Sequence, residues 1–142
     1  VLRQFIEDDP SRVNRIPAYV LLAETMASQG NVAGAIAEWR AVVRIAPDDA
    51  AARAQLARLL TAQADAYLRQ DDVTRGEPYA REAVQLAPDD PNARNLLGVA
   101  LASSGHFDEA IAQFLEALRI APDNPQARTN LERAQRVPRS AQ

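Results

Sequence analysis

The sequence predicts an all-α fold built from repeated helix–turn–helix pairs. Hydrophobic residues make up 47% of the 142-residue chain but aromatics only 5%. Alanine supplies much of the apolar content, and it is the best helix former and a poor strand former. The stretch 16–49 also aligns without a gap on 91–124, and self-similarity over such a length marks a repeat architecture. Finally, "RIAPDD" at 44–49 returns as "QLAPDD" at 85–90 and "RIAPDN" at 119–124.

At the N-terminus, Leu2, Phe5 and Ile6 fit one turn of a short helix within 1–9, closed by "EDDPS". It reads as the remnant of an earlier repeat's second helix. The first complete repeat covers 16–49. Against the repeat at 91–124 it places Leu22 on Leu97, Ala23 on Gly98, Gly30 on Gly105, Ala35 on Ala110, Trp39 on Phe114 and Pro47 on Pro122. In the later copy the spacing predicts a helix over 91–104, a break at Gly105, and a second helix over 107–120. Phe107, Ala110, Ile111, Phe114, Ala117 and Leu118 follow three- and four-residue steps, as one helix face requires. Ala23, Gly98, Ala35 and Ala110 fall where two helices cross, and larger side chains there hold helices apart.

The middle repeat, 50–90, is longer. Pro88 and Pro122 are 34 residues apart, whereas Pro47 and Pro88 are 41 apart, an excess close to two helical turns. No breaker interrupts "RLLTAQADAYLRQ", so its first helix is expected to reach about Gln70. "TRGE" offers Thr74 as N-cap with Glu77 three residues on, a capping box. That start puts Gly76 and Pro78 in the first turn, where both are tolerated. Ala80, Ala83 and Val84 then face the core. Residues 125–137 are expected to form a single capping helix with Leu131 on its apolar side, and 138–142 a disordered tail.

The repeated Pro-Asp-Asp could be an acid/base pair or a cation site. Its positions argue for punctuation. Asp49, Asp90 and Asn124 each stand where a new helix begins and a side-chain oxygen can accept from exposed amides. Pro91 and Pro125 follow at the first helical position, which needs no amide hydrogen. A catalytic pair has no reason to recur at every junction.

Other chemistry is thin. The absence of cysteine removes disulfides, thiolate metal sites and a cysteine nucleophile. His106 is the single histidine and follows a turn glycine, which argues against zinc. Asp108 and Glu109 suit the positive end of a helix dipole, while Asp71-Asp72 could at most be a weak cation site. There is no phosphate-binding glycine loop and no serine–histidine–acid set. Net charge is −3, without the basic bias that a nucleic-acid partner requires. All basic residues are arginine, which we attribute to coding bias. No run is long and apolar enough to cross a membrane. The expectation is a non-enzyme with no cofactor and no metal.

The order of residues resembles the tetratricopeptide repeat, whose pattern places tryptophan, leucine–glycine, tyrosine, alanine, phenylalanine and proline across 34 residues. The last copy supplies Leu97-Gly98, Leu101, Ala110, Phe114 and Pro122, with Arg94 in the tryptophan slot. The first supplies Tyr19, Leu22-Ala23, Met26, Ala35, Trp39 and Pro47. The resemblance implies a right-handed α-solenoid of three repeats whose first helices line a concave, partner-binding face. It also implies that the aromatic at Trp39 and Phe114 is buried. The groove positions are then Val20, Glu24 and Ser28 in the first copy, Arg58 and Thr61 in the second, and Asn95, Val99 and Ser103 in the third. Thr129, Arg133 and Arg136 follow from the cap.

Chaperone-binding members grip a terminal carboxylate with a lysine/asparagine clamp. Val20 and Glu24 stand in the two leading clamp positions and the chain has no lysine, so that clamp is absent. Sugar-transferase scaffolds carry an asparagine ladder, which Asn130 fits and Asn95 misses by one residue. The functional expectation is a non-catalytic scaffold that binds a protein or peptide partner, with Arg58, Arg133 and Arg136 able to hold a carboxylate. Self-association is one alternative. A non-catalytic appendage of a larger membrane-anchored enzyme or assembly factor is another. The compartment, cytoplasmic or periplasmic, stays open, as does an anchor upstream of Val1.

Overall fold

The computed structural model describes residues 15–138, and all structural statements below concern them. They form seven helices and no strand: α1 (Ile16–Ser28), α2 (Val32–Ile45), α3 (Ala50–Leu68), α4 (Val73–Leu86), α5 (Pro91–Ser103), α6 (Phe107–Ile120) and α7 (Pro125–Gln135). The chain divides into two compact units, 1–59 and 60–142, with the boundary inside α3. The N-terminal helix expected over 1–9 and the tail beyond Pro138 lie outside the described residues.

The three hairpins turn in one way. Gly30, Asp71 and Gly105 all have positive φ, at 77°, 57° and 82°. The next amide donates back to a carbonyl in the helix just ended: Asn31 to Met26 at 2.8 Å, Asp72 to Tyr67 at 3.0 Å, His106 to Leu101 at 2.8 Å. A left-handed residue lets the chain reverse while these terminal carbonyls keep partners. Glycine meets that demand without strain, and aspartate is among the few other residues that tolerate it. Hence α3 does have a breaker, and it is Asp71.

That turn corrects the expected start of α4. The N-cap is Asp72, whose side chain accepts from the Arg75 amide at 3.1 Å, and the helix begins at Val73. Thr74 and Glu77 form no capping box: Thr74 lies inside the first turn, and Glu77 pairs with Arg81 at 2.7 Å. The Arg75 side chain also pairs with Asp72. This hydrogen bond holds the Asp72 carboxyl below its usual range, assisted by the Arg75 amide. A depressed carboxylate stabilises the fold above its unfolded pKa, and that stabilisation is lost as pH falls through the folded value. Pro78 sits in the second turn of α4 rather than the first. Helix α3 ends at Leu68, two residues short of the expected end near Gln70.

At the junctions, the Asp49 side chain accepts from the Ala52 amide at 3.0 Å, Asp90 from Asn92 at 2.9 Å, and Asn124 from Ala127 at 3.0 Å. A second device repeats with them. The Arg94 guanidinium donates to the Pro88 carbonyl at 2.9 Å, and Arg128 to that of Pro122 at 2.8 Å. Each arginine reaches back six residues to a carbonyl that no helix ladder uses. Arg94 also donates to Gln113 of α6 at 3.0 Å, which explains a charged residue in the slot where tryptophan was expected.

Within the first unit, Ala23, Ala35, Ile36, Trp39 and Val42 are buried. Leu22 is 42% exposed and Leu21 66%, although Leu22 aligns with the buried Leu97. Leu97 lies inside a core assembled from several helices.

That second core gathers Ala64, Ala80, Leu97, Leu101, Ala110, Phe114 and Ala134. A β-carbon at Gly98 would collide with the Phe114 ring. Burying a phenylalanine is worth about 1.5–3 kcal/mol, and glycine inside a helix costs about 1 kcal/mol against alanine. Seating the ring outweighs the loss. Gly76 works similarly for α3, since its missing β-carbon would lie 3.0 Å from the Leu68 side chain.

Two outcomes follow from the turns and junctions. Asp71→Gly is expected to raise stability in urea unfolding by about 0.5–1 kcal/mol, because it relieves the left-handed strain; a lowered midpoint would contradict the turn described. Asn124→Ala is expected to cost about 1 kcal/mol, and its neighbour Asp123→Ala less than about 0.5 kcal/mol. Equal losses would show that the acidic pairs act in some way other than capping.

Candidate functional site

The second unit carries an open cleft of about 480 Å³. One wall is the end of α3, with Asp65, Leu68 and Arg69. The floor is α5, with Asn95, Leu96 and Val99, and the far wall is α7, with Gln126, Thr129, Asn130 and Arg133. The three helices reach it for separate reasons. Helix α3 runs to Leu68 because nothing before Asp71 halts it. Helix α5 starts at the Asp90 cap and Pro91, and α7 at the Asn124 cap and Pro125, so register fixes which side chains face the cleft.

On the floor, the Asn130 amide donates to the Asn95 side-chain oxygen at 3.0 Å. This bond ties α7 to α5 and leaves Asn95 an amide donor and Asn130 an amide oxygen. On the α3 wall, the Arg69 guanidinium pairs with Asp65 at 2.6 Å, and the Arg69 side chain remains 77% exposed. On the opposite wall, Arg133 makes no ion pair among the described residues. Asp65, Arg69 and Arg133 together leave the cleft with one more positive than negative group.

A second hollow of about 300 Å³ adjoins the first and shares Val99, Asn130 and Arg133 with it. Its other walls are mostly apolar: Ala102, Phe107, Phe114, Ala134 and Val137, with Ser103 at the side. The pair of hollows therefore offers a polar part and an apolar part with Arg133 common to both.

Asn95, Val99, Thr129 and Arg133 are thus brought to one cleft, and Ser103 to the hollow beside it. Thr61 and Arg136 belong to the same unit but line neither. Val20, Glu24 and Ser28 lie on α1 and Arg58 on α3, all within the first unit. The Ser28 hydroxyl donates to the Thr25 carbonyl at 2.7 Å, and Arg58 donates to Gln55 of its own helix at 3.0 Å. Missed were Asp65, Leu68, Arg69, Leu96 and Gln126. The available signal for the first three was the 41-residue spacing, which places an additional stretch of helix around "ADAYLRQ". Among the described residues, no three of the histidine and acidic side chains gather as a metal site, and no helix is long and apolar enough to cross a membrane.

A model of the tetratricopeptide repeat family matches residues 61–125, which include most of this cleft. The chain is similar to tetratricopeptide-repeat proteins over that stretch. Solved tetratricopeptide domains share the fold. The first such domain of Spaghetti (RPAP3), bound to the HSP90 peptide SRMEEVD, is 20% identical with a TM-score of 0.56, covering 86% of this chain and 91% of that one. The second domain of human RPAP3, in complex with the HSP70 peptide SGPTIEEVD, is 20% identical with a TM-score of 0.56, covering 87% and 98%. The Arabidopsis OM64 domain is 15% identical with a TM-score of 0.58, covering 89% and 99%. No curated protein matches the chain in sequence. The all-α tetratricopeptide fold expected from the sequence is the fold found.

Proposed function

We propose that the chain is a protein-interaction scaffold and that the second unit receives a segment of a partner protein in the cleft between α3, α5 and α7. The observation that carries this reading is the cleft itself, where polar groups with spare hydrogen-bonding capacity stand beside an apolar hollow. An extended or helical segment presents both kinds of surface, and its backbone amides suit the remaining donor of Asn95 and acceptor of Asn130. That tetratricopeptide domains of the same fold are held in solved structures with peptides supports the reading. The proposed role is binding.

A second reading has its own observation. Leu21 and Leu22 expose an apolar strip on α1 of the first unit, which a second copy of the chain could cover. Light scattering at two concentrations separates the two: self-association predicts a mass that rises with concentration and falls again in Leu21→Glu.

For the scaffold reading, a random dodecapeptide library displayed on phage and panned on the full chain is expected to yield peptides that bind it. Their affinity should fall about tenfold or more in Thr129→Trp, which fills the cleft. It should be unchanged in Ala112→Trp, on the exposed side of α6. Peptides that bind both variants equally, or no recovered peptides, would place the function elsewhere.

A further inference from the structure

Helix α1 packs on α2 and buries Ala23, yet Leu21 and Leu22 stand 66% and 42% exposed. Leu56 and Leu97 hold the position of Leu22 in the next two repeats and are 2% and 4% exposed. We propose that this face of α1 is the seat of the chain's own residues 2–6, which lie on it as a short helical segment and keep it from a second copy.

The occupant is named by a pattern that the three repeats share. Counted back from Pro47, Pro88 and Pro122, the eighth residue is Trp39, Ala80 or Phe114, and the fifth is Val42, Ala83 or Ala117. All six are buried. The fourth is Val43, Val84 or Leu118. Counted back from Pro10, these positions hold Leu2, Phe5 and Ile6. Steps of three and four residues put the three side chains on one helix face, and Gln4 falls on the opposite one. The second residue, Ile45, Leu86 or Ile120 in the repeats, is Asp8 here, so the apolar face stops at Ile6.

The second unit shows what such a segment does. Helix α4, which ends just before Pro88, packs on the helix that follows it, and its Ala80 shares a core with Leu97. Leu2 has the position of Ala80, and Leu22 that of Leu97. Residues 10–15 join the segment to α1 and reach up to about 20 Å when extended, whereas packed helix axes are about 8–10 Å apart. So short a tether holds the segment at an effective concentration of about millimolar. A second copy at micromolar concentration competes poorly with it.

The chain has no cysteine and a single tryptophan, Trp39, buried in the first unit, which gives two clean tests on the full chain. In the first, Leu2, Phe5 or Ile6 is changed to Cys together with Leu21→Cys or Leu22→Cys, and each pair is oxidised. At least one pair is expected to form a disulfide within one chain, since cross-linking needs Cα atoms within about 7 Å. Gln4→Cys with Leu22→Cys is expected to form far less. Cross-links only between chains would give the face to a second copy and overturn the proposal. So would no cross-link in any pair, or cross-linking through position 4 as complete as through 2, 5 or 6. In the second, Phe5→Ser is expected to lower the melting midpoint read by Trp39 fluorescence by about 3 °C or more, and Gln4→Ser to leave it in place. An unchanged midpoint in Phe5→Ser would show that the segment does not cover α1.

Discussion

Where α4 passes α3, a β-carbon on Gly76 would lie 3.0 Å from the Leu68 side chain and 3.4 Å from the Ala64 carbonyl. This close approach sets the arrangement of the second unit. It lets α4 lie against the end of an unusually long helix, and so keeps that end in place as the cleft wall. A glycine inside a helix is locally unfavourable, and Pro78 two residues later removes a ladder bond. The helix persists because Asp72 caps its start, Asp71 provides the turn, and Ala80 and Ala83 are fully buried. Tyr67 and Tyr79 reinforce the same crossing, with ring centroids 5.7 Å apart, and the Arg75 guanidinium lies 4.8 Å from the Tyr67 centroid.

The altered middle repeat thus has a structural reason and a functional consequence in one place. The residues that lengthen α3 bring Leu68 to Gly76 on one side and Asp65 and Arg69 to the cleft on the other. Helix α5 meets α6 by the same principle at Gly98 and Phe114, so the cleft floor also rests on a missing β-carbon. The walls are then helices fixed by packing, which is what a binding surface needs if its polar groups are to be held ready rather than ordered on contact.

Much of this was legible in the sequence. The all-α repeat fold came from the gapless match of 16–49 with 91–124, because helix period, glycine breaks and proline positions all agreed. The junction aspartates could be read as caps because Asp90 and Asn124 each stand directly before a proline suited to the first helical position. The turn at Asp71 was harder, since an aspartate in the left-handed region looks like any surface acid until the backbone is seen, and the error displaced the start of α4. In the cleft, Asn95, Val99, Thr129 and Arg133 followed from the resemblance to a groove-forming family. Asp65 and Arg69 did not, because they lie on residues for which the repeat pattern has no slot. Arg94 and Arg128 were missed as junction ties, although each stands six residues after its proline, because a hydrogen bond to a backbone carbonyl leaves no pattern in residue type.

The contact between Leu68 and Gly76 is tested most directly by a double-mutant cycle of Gly76→Val and Leu68→Ala, measured by urea unfolding of the full chain. If α4 rests on the end of α3 as described, Gly76→Val alone should cost about 1–3 kcal/mol through overpacking. Leu68→Ala should then recover at least about 1 kcal/mol of that loss, since contacting residues couple by this order. Additive losses would mean that the two residues do not meet, and that the cleft wall is held by something else.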